Sequence, residues 1–459
     1  MKPMLANTVV IIGAGPAGLT AAMELNKAGL HSMILEKDRI VGGLSRTVNQ
    51  NGYGFDIGGH CFLSKAEAVN RFWLEVLGKE FRRNSQQYRI YFNNRFYDYP
   101  FRVPNVVRGL GLPLSLSAFL AYVQAHLRPR SPELSVEDHI VNRFGRILYE
   151  VFFKTYTEKI WGIPGSGIGS GSAVQPPGNG SNAKAVTDSF SYPRLGPGQM
   201  WEKVESLMNA AGNPVIKNAE AISLKHNQNR VLEVTINRGG ECAPLKPENV
   251  ISSMPLRDLV ERLDPPAPPD VLEAARALKH RDLITVALVI HHPRLFGGNW
   301  VYVQDPSVKV SRIQNYGNWS ADLIPEPGHS CLGLEYFCSE GDALWSAKDS
   351  SLVDLARREI GYLRLADPLR IVCGSVVRVK MACPVYAPDY GSNLQIIRDY
   401  LALFSNLHPI GRNGLHRSSK QGQSMLTAML AARNVLGEKH NVWSVNEDSE
   451  DHEEVRNAN

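Results

Sequence analysis

Three glycines near the start of the chain carry its clearest chemistry: Gly13-Ala14-Gly15-Pro16-Ala17-Gly18 has the GxGxxG spacing. Gly13 permits a tight turn, Gly15 lets backbone approach a pyrophosphate, and Gly18 lets a helix pack closely on a strand. A helix opening there presents free N–H groups and partial positive charge to phosphates. Glu36, eighteen residues beyond Gly18, can accept hydrogen bonds from a ribose diol. The alternative, a purely structural glycine turn, is weighed by context. Val41-Gly42-Gly43-Leu44-Ser45-Arg46-Thr47 follows a few residues later, and its glycines would bring a second stretch of backbone to the same ligand. The six cysteines, Cys61, Cys242, Cys331, Cys338, Cys373 and Cys383, include no CxxC pair. This spacing suits neither a disulfide scaffold nor a metal site, and reduced thiols in a cytoplasmic protein are expected.

The elements that must position these residues are legible around the glycines. Thr8 to Ile12 is a β-branched run of the kind found in buried parallel strands. Leu19 to Ala28 reads as a helix stopped by Gly29, and His31 to Glu36 as a second strand, together one βαβ unit. Strand patterns return at 215–222, 231–236, 250–253 and 283–290; the last is too apolar for a one-sided strand and suggests the centre of a second sheet. A helix from Ser424 to about Gly437 follows, and then an acidic tail expected to fray. The Gly/Ser/Pro-rich stretch 165–182 cannot build a packed element and reads either as a lid or as a plain loop.

The chain has 459 residues, 43% of them hydrophobic, enough for two lobes with substantial cores. A net charge of +5 gives no reason to expect nucleic acid. The surplus is uneven, however. Lys79 to Lys159 holds thirteen Lys and Arg against seven Asp and Glu, a local +6 that suits either a solvated basic surface or a pocket for an anionic substrate. Residues 109–127 are uncharged between Arg108 and Arg128, but Pro113, serines, Gln124 and His126 lower their hydrophobicity. A buried or pocket-lining helix is expected there, with weak peripheral membrane docking as the alternative and no spanning segment.

The early GG motif resembles that of the flavoprotein superfamily containing amine oxidases, protoporphyrinogen oxidase and UDP-galactopyranose mutase. Further blocks are similar to the mutases in order along the chain. They are Phe55-Asp56-Ile57-Gly58-Gly59-His60-Cys61-Phe62, Tyr156-Thr157-Glu158-Lys159-Ile160-Trp161-Gly162, the stretch Tyr192 to Trp201, Ser311-Arg312-Ile313-Gln314, and Gly411-Arg412-Asn413-Gly414-Leu415-His416-Arg417. The resemblance implies an α/β (α+β) chain with a glutathione-reductase-like, Rossmann-type FAD-binding domain and a discontinuous substrate or cap domain. Segments 1–78, 190–275 and 385–446 are assigned to the first, 79–189 and 276–384 to the second, and 447–459 to the tail. The cofactor-binding set expected on this basis is Gly13, Gly15, Pro16, Ala17, Gly18, Glu36, Lys37, Gly43, Leu44, Ser45, Gly59, His60, Ala221, Gly411, Arg412 and Met425. Trp161, Arg194, Tyr302, Arg312, Tyr316, Tyr336 and Arg417 are expected to bind substrate, with His60 and Arg312 at the reacting centre. For the aromatic residues, Trp300 among them, a place in the core is the competing reading.

The sequence departs from the mutases where substrate is handled. After Arg417 their tyrosine and acidic run are replaced by Ser418-Ser419-Lys420-Gln421-Gly422-Gln423. The flavin-handling blocks are kept. The resemblance therefore implies an oxidoreductase passing hydride from a small anionic substrate to non-covalent FAD, ahead of a mutase-like isomerase or a flavin-binding scaffold without turnover. No second GxGxxG follows a strand, so NAD(P)H is expected only as a transient reductant.

Overall fold

A computed structural model describes residues 8–60, 62, 64–85, 88–169, 189–227 and 229–445. The acidic tail, Cys61 and most of the Gly/Ser-rich stretch lie outside the described residues.

The apolar first strand, Val9–Ile12, is the middle of a five-stranded sheet. Ser32–Leu35 and then Val215–Ile216 lie on one side, Asn249–Ser252 and then Leu407–Pro409 on the other. All four pairings are parallel. Alternation along Val9–Ile12 divides the core. Val9 and Ile11 face an apolar cluster that includes Leu19 of the helix Pro16–Lys27 and Met425 of the helix Gln421–Val435. Val10 and Ile12 face a second cluster with Leu224 and Val234 of a four-stranded sheet. The strand expected at 215–222 divides instead: Val215–Ile216 joins the parallel sheet, and Glu220–His226 begins the four-stranded one.

The second lobe is built on a seven-stranded sheet in the order Ile371–Val385, Lys279–Ile290, Ser330–Cys338, Arg312–Asn315, Trp300–Val303, Tyr88–Phe92, Arg95–Tyr99. Its central strands are apolar on both faces because both are covered. Leu283, Ala287 and Val289 look into an aromatic cluster, whereas Ile284, Val286 and Leu288 look toward the helix Asp349–Tyr362.

The stretch 109–127 is a correction. It forms the helix Leu112–Leu127, and among its residues only Ala118 and Ala125 are buried while most of its large apolar side chains are exposed. The absence of charge favoured burial in the sequence, but the buried positions are two alanines and the large side chains lie on the opposite face. No described helix is long and apolar enough to cross a membrane.

Candidate functional site

Each glycine of the first turn meets a steric demand. Gly13 has φ +97°, and a Cβ there would fall on Ser253 Oγ; a Cβ on Gly18 would fall on the Gly13 carbonyl oxygen. Gly15 precedes the helix Pro16–Lys27, whose first position is Pro16 and whose N-terminus has no side-chain cap. Its exposed N–H groups thus point past Ala17 and Gly18 to whatever lies beyond the turn. Gly43, at φ +52°, comes so near that a Cβ on it would be 3.3 Å from Gly15 Cα. Leu44 and Ser45 continue this second turn, which the Gly42 N–H anchors on the Ala14 carbonyl at 2.8 Å. Gly411 closes a third side: its own Cβ would stand 2.8 Å from the Ala17 methyl. Three backbone turns without side chains therefore surround one helix N-terminus.

At the end of the second strand the buried Glu36 carboxylate accepts the Ala14 N–H at 2.8 Å and the Asp38 N–H at 2.9 Å. Burial raises its pKa, while those two donors pull the other way. Lone pairs remain for hydroxyl donors. Ala219 N donates to the Glu36 carbonyl at 2.8 Å, which brings buried Ala221 near this end of the sheet; exposed Lys37 flanks it.

The second half of the site lies where the strand Tyr53–Asp56 runs into Gly58-Gly59-His60. Asp56 is buried and accepts hydrogen bonds from Tyr192 and from Thr47 Oγ1, the latter at 2.7 Å; burial pushes its pKa up to about 7. Gly59 lies flat against Trp300, where any side chain would enter the indole. His60 Nε2 is 3.1 Å from the Ile57 carbonyl and donates to it. Burial, then the charges of Arg412 and Arg312, hold the His60 pKa down to about 4, so the ring is neutral at pH 7.

Arg312, Tyr302 and Glu335 form one cross-strand row on the same sheet face. Arg312 is ion-paired with Glu335, which is fully buried and also accepts a hydrogen bond from Gln314 Nε2. Its guanidinium sits between Trp300 and Phe337, 4.9 and 5.0 Å from the ring centres. Tyr302 extends the wall, 5.0 Å from Tyr156 and 5.9 Å from Trp300 between centroids. Arg412 differs: it donates to the Ala382 and Ser419 carbonyls and forms no ion pair with a described residue. Trp300 Nε1, Asn413 Oδ1 and both side-chain polar atoms of Gln421, at the start of the last long helix, are buried without a described partner. The glycine-lined turns and these orphaned atoms fit an elongated dinucleotide with a polar ring system at one end.

Residues 11–76 match the family described as an NAD(P)-binding Rossmann-like domain. A 4,4'-diapophytoene desaturase (4,4'-diapolycopene-forming) of Methylomonas sp. is 36% identical over 97 residues, which is 20% of this chain and 19% of the desaturase. The chain thus aligns with about a fifth of that relative. Over nearly the whole length, reduced UDP-galactopyranose mutase superposes with a TM-score of 0.83 at 19% identity, covering 98% of both chains. A putative protoporphyrinogen oxidase from Exiguobacterium sp. 255-15 follows at 0.74 and 16% identity, covering 95% of this chain and 100% of that one. The chain shares its overall fold with these two proteins.

Within this fold the sequence-derived residues separate. Gly13, Gly15, Pro16, Ala17, Gly18, Glu36, Gly43, Leu44, Ser45 and Gly411 gather around the helix N-terminus. Gly59, His60, Arg312, Arg412, Trp300 and Tyr302 gather at the other end. Four expected substrate contacts point elsewhere, whereas Trp161 lies in the aromatic cluster that also holds Trp300 and Tyr302. Tyr336 is one residue from Glu335 and therefore projects from the opposite face of its strand, into the cluster beneath Asp349–Tyr362. Tyr316 is fully buried and spends its hydroxyl on the Asp56 carbonyl at 2.8 Å. Arg194 pairs with Glu80 and Asp322 at the surface. Arg417 donates to the Trp443 and Val445 carbonyls at 2.9 and 2.8 Å, tying down the C-terminal segment. Trp161 is buried beside Tyr386. Met425 is a core residue whose sulfur accepts the Trp73 indole N–H at 3.2 Å. Sequence reasoning missed Glu335 and Asp56. A single carboxylate inside the apolar run Cys331-Leu332-Gly333-Leu334-Glu335-Tyr336-Phe337-Cys338 was the signal that could have revealed the first.

Proposed function

We propose that the chain is an FAD-dependent oxidoreductase whose reacting centre lies between Gly59-His60 and the face carrying Tyr302, Arg312 and Glu335. The observation that carries this reading is the pairing of a neutral imidazole, His60, with Arg412, a cation that no described carboxylate neutralises, at the end of a dinucleotide cradle. Glu36 and the backbone of Gly15, Ala17, Gly43 and Gly411 would hold the adenosine and diphosphate parts of FAD. Gln421, Asn413 and Arg412 supply donors and acceptors suited to the polar edge of the ring system. Flavin, once bound, supplies hydride acceptance. Arg412 favours negative charge gathering at that edge, and His60 stands beside it as a neutral ring fixed by its hydrogen bond to the Ile57 carbonyl.

The aromatic wall of Trp300, Tyr302 and Tyr156 excludes water and suits an apolar or aromatic substrate segment. Arg312 arrives already neutralised by Glu335, which removes the main support for an anionic substrate. His60 is engaged in the Ile57 hydrogen bond, and FAD is read as non-covalent. The five described cysteines are unpaired, in keeping with a reducing, cytoplasmic setting.

The test is anaerobic mixing of the purified yellow protein with candidate substrates, after acid precipitation of a parallel sample. Release of all flavin into the acid supernatant and stoichiometric bleaching by a substrate are expected. Turnover only by pre-reduced enzyme, with no bleaching, would favour a mutase-type isomerase and overturn the reading.

A further inference from the structure

The helix Leu112–Leu127 is assembled with its large side chains outward. Leu112, Leu116, Phe119, Leu120, Val123 and Leu127 follow the three-and-four spacing of one helix face. Leu112 is 77% exposed, Leu116 61%, Phe119 60%, Leu120 59% and Leu127 76%. The inward face is Ala118 and Ala125, both buried. This face is fully seated. Gly145, at φ +82°, lies so close that a Cβ would stand 2.6 Å from Tyr122 N and 2.8 Å from the Ala121 carbonyl carbon. The outward stripe is therefore a fixed surface of the folded chain, and no rotation of the helix could bury it without moving the Ala121–Tyr122 backbone off Gly145. A contiguous apolar stripe of this size on a folded chain marks a contact surface.

The charges around the stripe select the partner. From Tyr99 to Pro132 there is no Asp or Glu, while Arg102, Arg108, Arg128 and Arg130 lie in that span. Arg108 and Arg128 flank the helix at its two ends, and both are exposed with no ion pair to a described residue. Arg102, beside exposed Val103, is the same. Only Arg130 is compensated, by Glu137 and Asp138. An apolar stripe bordered by cations matches a lipid bilayer whose headgroups are anionic: the hydrocarbon boundary takes the leucines and Phe119, and the headgroups take the arginines. The helix has sixteen residues, and no described helix is long and apolar enough to span a membrane, so it would lie in the plane of the interface. We propose that Leu112–Leu127 docks this chain on anionic phospholipid membranes, an inference independent of the reaction assigned above.

Flotation of the full-length protein with vesicles of phosphatidylcholine, alone or mixed with phosphatidylglycerol, tests it. Binding to the mixed vesicles, reversed by salt, is expected. Leu116→Ser with Phe119→Ser should lower the bound fraction by about tenfold or more. Arg108→Gln with Arg128→Gln should lower it by roughly fivefold for each arginine removed. Flavin content and unfolding temperature serve as fold controls. Should the first pair misfold, Leu112→Ser with Leu127→Ser at the helix ends gives an equivalent reading. Absence of flotation, equal binding to both kinds of vesicle, or equal binding of wild type and serine variants would each overturn the proposal. So would a wild-type dimer that the serine variants convert to monomer without any vesicle binding, which would assign the face to a second copy of the chain.

Discussion

Glu335 is fully buried, and Arg312 is its ion-pair partner. Arg312→Ala should therefore destabilise the fold by about 3–5 kcal/mol, the usual cost of leaving one buried charge unpaired. Arg312→Met combined with Glu335→Leu should recover most of that loss, because the pair is then replaced by apolar volume. Chemical denaturation of wild type, Arg312→Ala and the double variant measures it; an Arg312→Ala protein as stable as wild type would contradict the assignment. Loss of activity in Arg312→Ala, read without this measurement, would be mistaken for loss of a substrate contact. At this scale the sequence was readable where partners are local. The glycine turn and Glu36 occupy a few dozen residues and act through backbone geometry. Arg312 was placed by resemblance, but its partner lies 23 positions away on a neighbouring strand. Tyr336 was misplaced for a related reason: in a strand buried on both faces, hydrophobicity gives no phase, and one position reverses the side chain's direction.

Among the elements, strands of the βαβ unit were found within a residue or two, since an unbroken β-branched run followed by glycines admits few alternatives. The fifteen-residue strand Ile371–Val385 and the short strands Trp300–Val303 and Arg312–Asn315 were not foreseen. Ile371–Val385 and Arg312–Asn315 mix charged and apolar residues, and Trp300–Val303 is only four residues long. The helix Leu112–Leu127 shows the converse failure, for its composition was read correctly and its orientation was not. Its seat gives a prediction. Gly145→Ala forces a methyl toward the Ala121–Tyr122 backbone at a residue with positive φ, and both effects oppose the fold. A loss of about 2–4 kcal/mol in local stability is expected, read as faster amide exchange across 112–127. Unchanged exchange there would mean that the helix is not held by Gly145.

The molecule as a whole carries a pH liability. His60, His408 and His416 are held down to about 4 and His280 to about 3, in each case first by burial. The unfolded chain takes up protons near pH 6.5 and the folded chain does not, so stability rises with pH across this window. On acidification from about pH 6.5 toward 4 it should fall steadily, each histidine removing up to about 1.4 kcal/mol for every pH unit crossed. Thermal unfolding between pH 7.5 and 5 checks the sign; a midpoint that stays constant or rises on acidification would show that these rings are charged in the native state. Two lobes were expected from length and composition, and their segments from resemblance, with no local signal for either. Which strands share a sheet was not legible, because pairing across hundreds of residues leaves no local trace.

That long-range pairing has a consequence for how the chain is made. The strand Val9–Ile12 emerges from the ribosome before the other strands of its sheet, yet one edge strand, Leu407–Pro409, comes some four hundred residues later. At about 5–20 residues per second, synthesis of the intervening chain takes roughly 20–80 s. Throughout that interval Asn249–Ser252, once made, presents an unpaired edge, and the cluster around Leu19 lacks the helix Gln421–Val435 that will cover it. Nascent chains of this protein are thus committed to a long period with apolar surface open, which makes them clients for whatever holdase meets them at the exit tunnel.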